Sequence, residues 1–226
     1  MLSHLHKFIY VHIPKTAGTS IETAFGHHEP GRLNQDHRTI REIEPLSNVL
    51  RNLHRTETLE ALAKRGRNQF RRLTDGYFET ATPAQYDSYF RFAIVRNPWD
   101  RCLSWYKNVM RNDWLRKPLG IDESCSFDHF MRNYQNQWGL RPQTYWVENS
   151  AGAVSLDYVG RFEQLEDAFD HICTRIGVTR VELPKMLVKH GRTDYRTEYD
   201  DSLKEYVGRL YAREIELFDY QFSGSE

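Results

Sequence analysis

Cysteine is scarce in this 226-residue chain, with only Cys102, Cys125 and Cys173, an odd count without close metal-ligand spacing. That excludes a disulfide-stapled framework and a thiolate metal site, and reduced thiols fit a cytoplasmic setting best. Long apolar runs are missing too, so no transmembrane segment is expected, and the opening Met1-Leu2-Ser3-His4-Leu5-His6-Lys7 has no signal-peptide core. Net charge is absent: 31 Lys plus Arg balance 31 Asp plus Glu, which leaves no general polyanion-binding signal and makes nucleic acid a poor partner. Nor is there a Gly-Lys-Ser/Thr triplet anywhere, which excludes the nucleoside-triphosphatase loop.

What is present is enough apolar material, 39% of residues, to bury one core, so a single domain over residues 1–226 is expected. Phe8-Ile9-Tyr10-Val11 is apolar throughout, as in a strand buried on both faces. It runs into His12-Ile13-Pro14-Lys15-Thr16-Ala17-Gly18-Thr19-Ser20. In that run Gly18 permits a tight turn, and Thr19 or Ser20 can cap a helix bearing Ile21, Ala24 and Phe25. A helix start offers unpaired N–H groups and the positive end of a dipole, and Lys15 adds a mobile charge, which together suit a phosphate or sulfuryl group. The plainer reading is a capped helix with Lys15 in solvent.

The pattern recurs at Phe90 to Val95, a second buried strand, with Arg96 at its carboxyl end and a helix from Pro98 through Trp99 to about Met110. Open α/β folds bind ligands at that edge, so Arg96 and Ser104 can grip a second phosphate. Alternatively, Arg96 pairs with Asp100 and the Ser104 hydroxyl bonds back to its own helix. Arg101 either caps the charge of Asp100 or faces water, and Trp99, Trp105 and Tyr106 read as packing residues.

Together the two runs resemble the signature pair of the 3′-phosphoadenosine 5′-phosphosulfate-dependent sulfotransferases, in the carbohydrate (heparan 2-O-like) branch and as a soluble bacterial-type member. The resemblance implies that Pro14, Lys15, Thr16, Ala17, Gly18, Thr19 and Ser20 form the 5′-phosphosulfate loop, and that Arg96 and Ser104 hold the 3′-phosphate. It continues at Tyr158-Val159-Gly160-Arg161-Phe162-Glu163-Gln164-Leu165, similar to a third strand-to-helix junction. Leu183-Pro184, Lys189-His190-Gly191-Arg192 and Tyr195 resemble the loop that closes over the nucleotide, with Arg192 as a further 3′-phosphate ligand. The implied donor is 3′-phosphoadenosine 5′-phosphosulfate, with no metal, and the implied acceptor is a glycan or small-molecule hydroxyl.

Such a transfer needs a cation where charge develops on the leaving phosphate and a base for the acceptor proton; Lys15 fits the first. For the base His37 is favoured, in Asn34-Gln35-Asp36-His37-Arg38, with Asp36 a possible orienter and Glu42, Asp87 and His190 as competitors. His12 reads as structural. Arg32, Arg38, Arg41, His27 and His28 are acceptor-side cations if they are not a solvated face, while Tyr86, Tyr89, Trp114, Trp138 and Trp146 either stack on sugars or fill the core. A kinase-like phosphotransferase and a noncatalytic nucleotide or glycan binder are the competing functions.

Between the two runs, residues 40–85 carry mostly helical patterns with Pro45 as a boundary, an insertion suited to shaping an acceptor cleft. Further helices are expected at Phe127 to Tyr134, Glu163 to Ile176 and Ser202 to Phe218, and a strand at Leu156 to Val159. Strands alternating with helices predict a three-layer, P-loop-like α/β fold with a mainly parallel central sheet flanked by helices.

Overall fold

The computed structural model describes residues 1–26, 35–75, 79–180, 182–184 and 194–223, and for 69–75 the backbone alone. In chain order the elements are β1 (Leu2–Ser3), β2 (Phe8–Val11), α1 (Gly18–Ala24), α2 (Ile40–Ile43), α3 (Leu46–Leu50), α4 (Thr56–Asp75) and α5 (Pro83–Ser88). There follow β3 (Phe90–Val95), α6 (Pro98–Arg111), α7 (Asp113–Arg116), α8 (Phe127–Tyr134), α9 (Gln143–Val147), β4 (Tyr158–Arg161), α10 (Leu165–Ile176), α11 (Asp201–Leu210) and α12 (Ala212–Leu217). The architecture is mixed α/β with a mostly parallel sheet flanked by helices, the arrangement of a three-layer fold. The chain divides into two compact units.

The first unit comprises Met1–Ile13, Ala17–Val95 and Gln143–Pro184 and holds the whole sheet, in the order β1-β2-β3-β4. β2, β3 and β4 are parallel, with Phe8 opposite Phe90 and Val95 opposite Arg161, and β1 adds an antiparallel edge. Phe8, Tyr10, Phe92 and Ile94 share one face and pack with Ile21 of α1 and with Ala168, Phe169, Ile172 and Cys173 of α10. Their alternates Ile9, Val11, Ala93 and Val95 are buried as well, which explains why Phe8–Val11 and 92–95 read as unbroken apolar runs. A Cβ added at Gly160 would meet Ile94 and Ala168 at 2.7 and 2.8 Å, so β4 needs glycine where α10 crosses it. In the helical segment Pro45 is the N-cap of α3, the boundary it was expected to mark.

The second unit comprises Pro14–Thr16, Arg96–Pro142 and Lys185–Glu226. Its core gathers Trp99, Cys102, Leu103, Trp105 and Val109 of α6, Phe127, Phe130 and Met131 of α8, and Leu203, Val207 and Tyr211. Side-chain caps start α6, α8 and α11: Asn97 accepts from Trp99 N–H, Ser126 from His129 N–H and Asp200 from Leu203 N–H. The aromatics do pack rather than form a platform, and their polar tips are used: Trp99 Nε1 donates to the Lys204 carbonyl, Trp105 Nε1 to Gln137 and Tyr106 to the Cys125 carbonyl. The expected single helix from Ser202 to Phe218 is instead two, α11 and α12, broken at Tyr211, whose hydroxyl donates to the Leu140 carbonyl. The strand expected at Leu156 starts two residues later, and the tenth helix opens with a 3-10 turn at Phe162–Gln164.

Candidate functional site

Both motif-bearing runs leave the carboxyl ends of neighbouring parallel strands, β2 and β3. The first bends at two non-glycine residues with left-handed backbone, Lys15 (φ 70°) and Ala17 (φ 66°). Gly18 is not the turning residue but the first residue of α1, and it must be glycine because any Cβ there would run into the His12 ring. Neither Thr19 nor Ser20 caps the helix; Ala17 is the N-cap and provides no side-chain acceptor.

In the second unit the structure brings Lys15 and Arg96 together. An N–H of Arg96 donates to the Lys15 carbonyl at 3.0 Å, and its remaining fork is closed on Asp100 at 2.9 and 3.0 Å. The ion pair foreseen as the alternative for Arg96 is therefore formed, on a nearly buried carboxylate rather than in solvent. Burial first, then the charges of Arg96 and Arg111, push the Lys15 amine down to about 8. Ser104 is half-buried two turns along α6. Arg101, expected either to cap the charge of Asp100 or to face water, is instead fully buried and donates to the carbonyls of Gly139 and Arg141 at 2.8 and 2.9 Å, because α6 turns it inward toward Glu214 and the Tyr211 ring. Tyr195 donates to the Phe222 carbonyl. Arg192, Lys189 and His190 lie outside the described residues, as do Arg32, His27 and His28.

In the first unit His37 sits at the centre of a buried polar cluster. Its Nδ1 is 3.2 Å from the His12 carbonyl oxygen, its Nε2 is 2.9 Å from the Gln35 amide, and its ring lies 4.0 Å from that of His12 and 6.3 Å from Trp146. Burial, reinforced by neighbouring His12, lowers its pKa to about 3, so the ring is neutral at ordinary pH. His12 Nδ1 pairs with Glu22 at 2.9 Å, and Glu22 also accepts from Asp36 N–H. Burial opposes charge on Glu22, yet the hydrogen bond and charge of His12 hold its carboxyl below the usual range. The Gln35 amide reaches on to Thr19 Oγ1 at 2.5 Å.

Asp36 does not orient His37. Its carboxylate is held by both edges of Arg38, at 2.7 and 2.8 Å, and by the Met1 nitrogen at 2.9 Å, which outweigh burial and keep it well below the carboxylate range. Arg38 is thereby committed and is no spare cation for an acidic sugar, while buried Arg41 donates to the Tyr145 carbonyl and lies against that residue's ring. Glu42 closes the first turn of α2 by accepting from Thr39, while Asp87 is exposed on α5. Tyr86 donates to Ser155 and Trp146 is core, whereas Trp114 and Trp138 are 70% and 45% exposed.

The His12–Glu22 couple and the Gln35 bridge escaped the sequence reading. Glu22 stands ten residues after His12 with no local pattern joining them, and only the fold of β2 against α1 makes them partners. Among the described residues no group of three or more His, Cys, Asp or Glu is arranged to hold a metal ion, and no helix is long and apolar enough to cross a membrane. A family model described as the sulfotransferase family matches residues 1–221. No curated protein and no solved structure matches the chain.

Proposed function

The chain belongs to the sulfotransferase family, and on that premise we propose that it carries a sulfuryl group from 3′-phosphoadenosine 5′-phosphosulfate to a hydroxyl of a carbohydrate or another small polyhydroxylated molecule. The observation that carries the reading is the parallel pairing of β2 with β3, each strand ending in a run that holds a cation and opens a helix. Ligands of open α/β sheets bind outside such strand ends. In this reading residues 14–20 cradle the 5′-phosphosulfate, and Arg96, Ser104 and Arg192 take the 3′-phosphate. Lys15 stabilises charge on the departing phosphate oxygen. His37 accepts the hydroxyl proton as the new oxygen–sulfur bond forms and the old one to the phosphate breaks, leaving 3′-phosphoadenosine 5′-phosphate.

Neutral His37 keeps the lone pair that the base role requires, while its burial makes it a weaker proton acceptor than an exposed imidazole. The helical segment 40–85 is proposed to shape the acceptor side of one catalytic domain over residues 1–226. No metal is proposed, and the free thiols of Cys102, Cys125 and Cys173 support a cytoplasmic setting.

The test is a screen of purified protein with labelled sulfate donor against oligosaccharides, alcohols, phenols and amines, with the product sulfate located by mass spectrometry and NMR. Transfer to glycans or polyols is expected. Transfer confined to phenols or amines would reject the acceptor class, and tight nucleotide binding without any transfer would favour a noncatalytic binder.

A further inference from the structure

A neutral imidazole has one N–H to give. Facing Nδ1 of His37 is a backbone carbonyl, that of His12, which cannot exchange its acceptor for a donor. The hydrogen is therefore on Nδ1 and the lone pair on Nε2. Nε2 meets the side-chain amide of Gln35 at 2.9 Å, and the same amide contacts Thr19 Oγ1 at 2.5 Å. A half-turn of that planar group exchanges its oxygen and nitrogen in place, so that NH2 donates to Nε2 and the Thr19 hydroxyl donates to Oε1. In either orientation the amide fills the direction along which His37 takes up a proton. A hydroxyl losing its proton to Nε2 must come within about 2.6–3.2 Å of that atom, which is where the amide stands.

The charged neighbours are committed elsewhere: Asp36 to Arg38, and Glu22 to His12. We propose that Gln35 is a specificity-determining residue of the acceptor site, its amide holding the place of the reacting hydroxyl, yielding to it, and then binding a second hydroxyl on the adjacent carbon. An amide offers a donor and an acceptor side by side, the complement of a vicinal diol. The acceptor class is thereby narrowed from any hydroxyl compound to one with neighbouring hydroxyls, an inference that rests on the transferase reading above.

Two measurements on Gln35→Leu test it, with Gln35→Asn, which withdraws the amide by one methylene, as a second variant should the first fail to fold. In the first, carbethoxylation of His37 by diethyl pyrocarbonate is followed by peptide mass spectrometry. Removing the amide uncovers Nε2, so His37 reacts several-fold faster in the variant, and equal rates overturn the inference. In the second, acceptor KM rises about tenfold, the equivalent of about 1.4 kcal/mol, with a smaller change in kcat and donor affinity within about threefold. With a matched acceptor lacking the neighbouring hydroxyl, the variant has a KM no higher than that of wild type. An unchanged KM for the diol, or an equal loss on both acceptors, overturns the role of Gln35 while leaving the transferase reading intact. Absence of transfer to every acceptor overturns both.

Discussion

At the scale of single residues, two perturbed groups set opposite expectations for pH. Lys15 has its pKa lowered to about 8 by burial and by Arg96 and Arg111, so it carries charge below that pH and loses it above. Donor-dependent kcat/KM should fall as pH rises through about 8, and Lys15→Arg should move that limb upward; a flat profile to pH 10 would separate Lys15 from charge stabilisation. Lys15→Ala should cut turnover far more than it lowers Tm. His37 is lowered to about 3, below its unfolded value, so between those two pKa values the unfolded chain binds the extra proton. Its contribution to stability is complete above the unfolded pKa and is lost as pH falls through the folded one. Urea midpoints measured from pH 7 down to 4 should decline less steeply in His37→Gln, and initial rates should show no acid limb near the ordinary histidine value. Gly18→Ala forces a methyl into the His12 ring and should cost about 1–3 kcal/mol in denaturant titration.

At the scale of elements, α6 is fixed by Arg101, whose guanidinium donates to two carbonyls of the 139–141 turn and lies near buried Glu214. Arg101→Met should remove about 3 kcal/mol or more, because it leaves those carbonyls and a buried acid short of a partner; a loss under 1 kcal/mol in urea unfolding would show that Glu214 and the turn find others. Elements of this kind divide sharply in how well the sequence announces them. β2, β3 and α8 have the bounds their apolar patterns predict, since the strands bury both faces with a continuous apolar stretch and α8 buries one face at helical spacing. The α11–α12 break is not visible, because it depends on Tyr211 reaching Leu140 across 71 positions. The site divides in the same way. Lys15 and Arg96 stand out at strand ends, but the direction in which Arg101 points, the commitment of Asp36 to Arg38 and the service of Gly18 to His12 are tertiary facts.

For the molecule as a whole, two separate cation-bearing runs predict selective recognition of a nucleotide with two phosphate positions. Calorimetry should show 3′-phosphoadenosine 5′-phosphate binding far more tightly than adenosine 5′-phosphate, and saturation at 100-fold above Kd should stabilise the fold by about 2.7 kcal/mol. Equal affinity for the two would remove Arg96 and Ser104 from the 3′-phosphate role, and a preference for ATP would redirect the reading to phosphoryl transfer. Because an Arg96 N–H rests on the Lys15 carbonyl, Arg96→Ala is expected to disturb both runs at once and to weaken both nucleotides.

The left-handed backbone of Ala17 carries a thermodynamic consequence of its own. Holding an alanine there costs about 1–2 kcal/mol relative to the right-handed helix, so this chain forgoes stability at the threshold of α1. Ala17→Gly should lift that strain, but it also gives the unfolded and the ligand-free loop more states to lose. The variant should therefore gain little or nothing in Tm while binding nucleotide more weakly, with the deficit appearing in the entropy of binding rather than its enthalpy. Alanine at this position exchanges folding free energy for preorganisation.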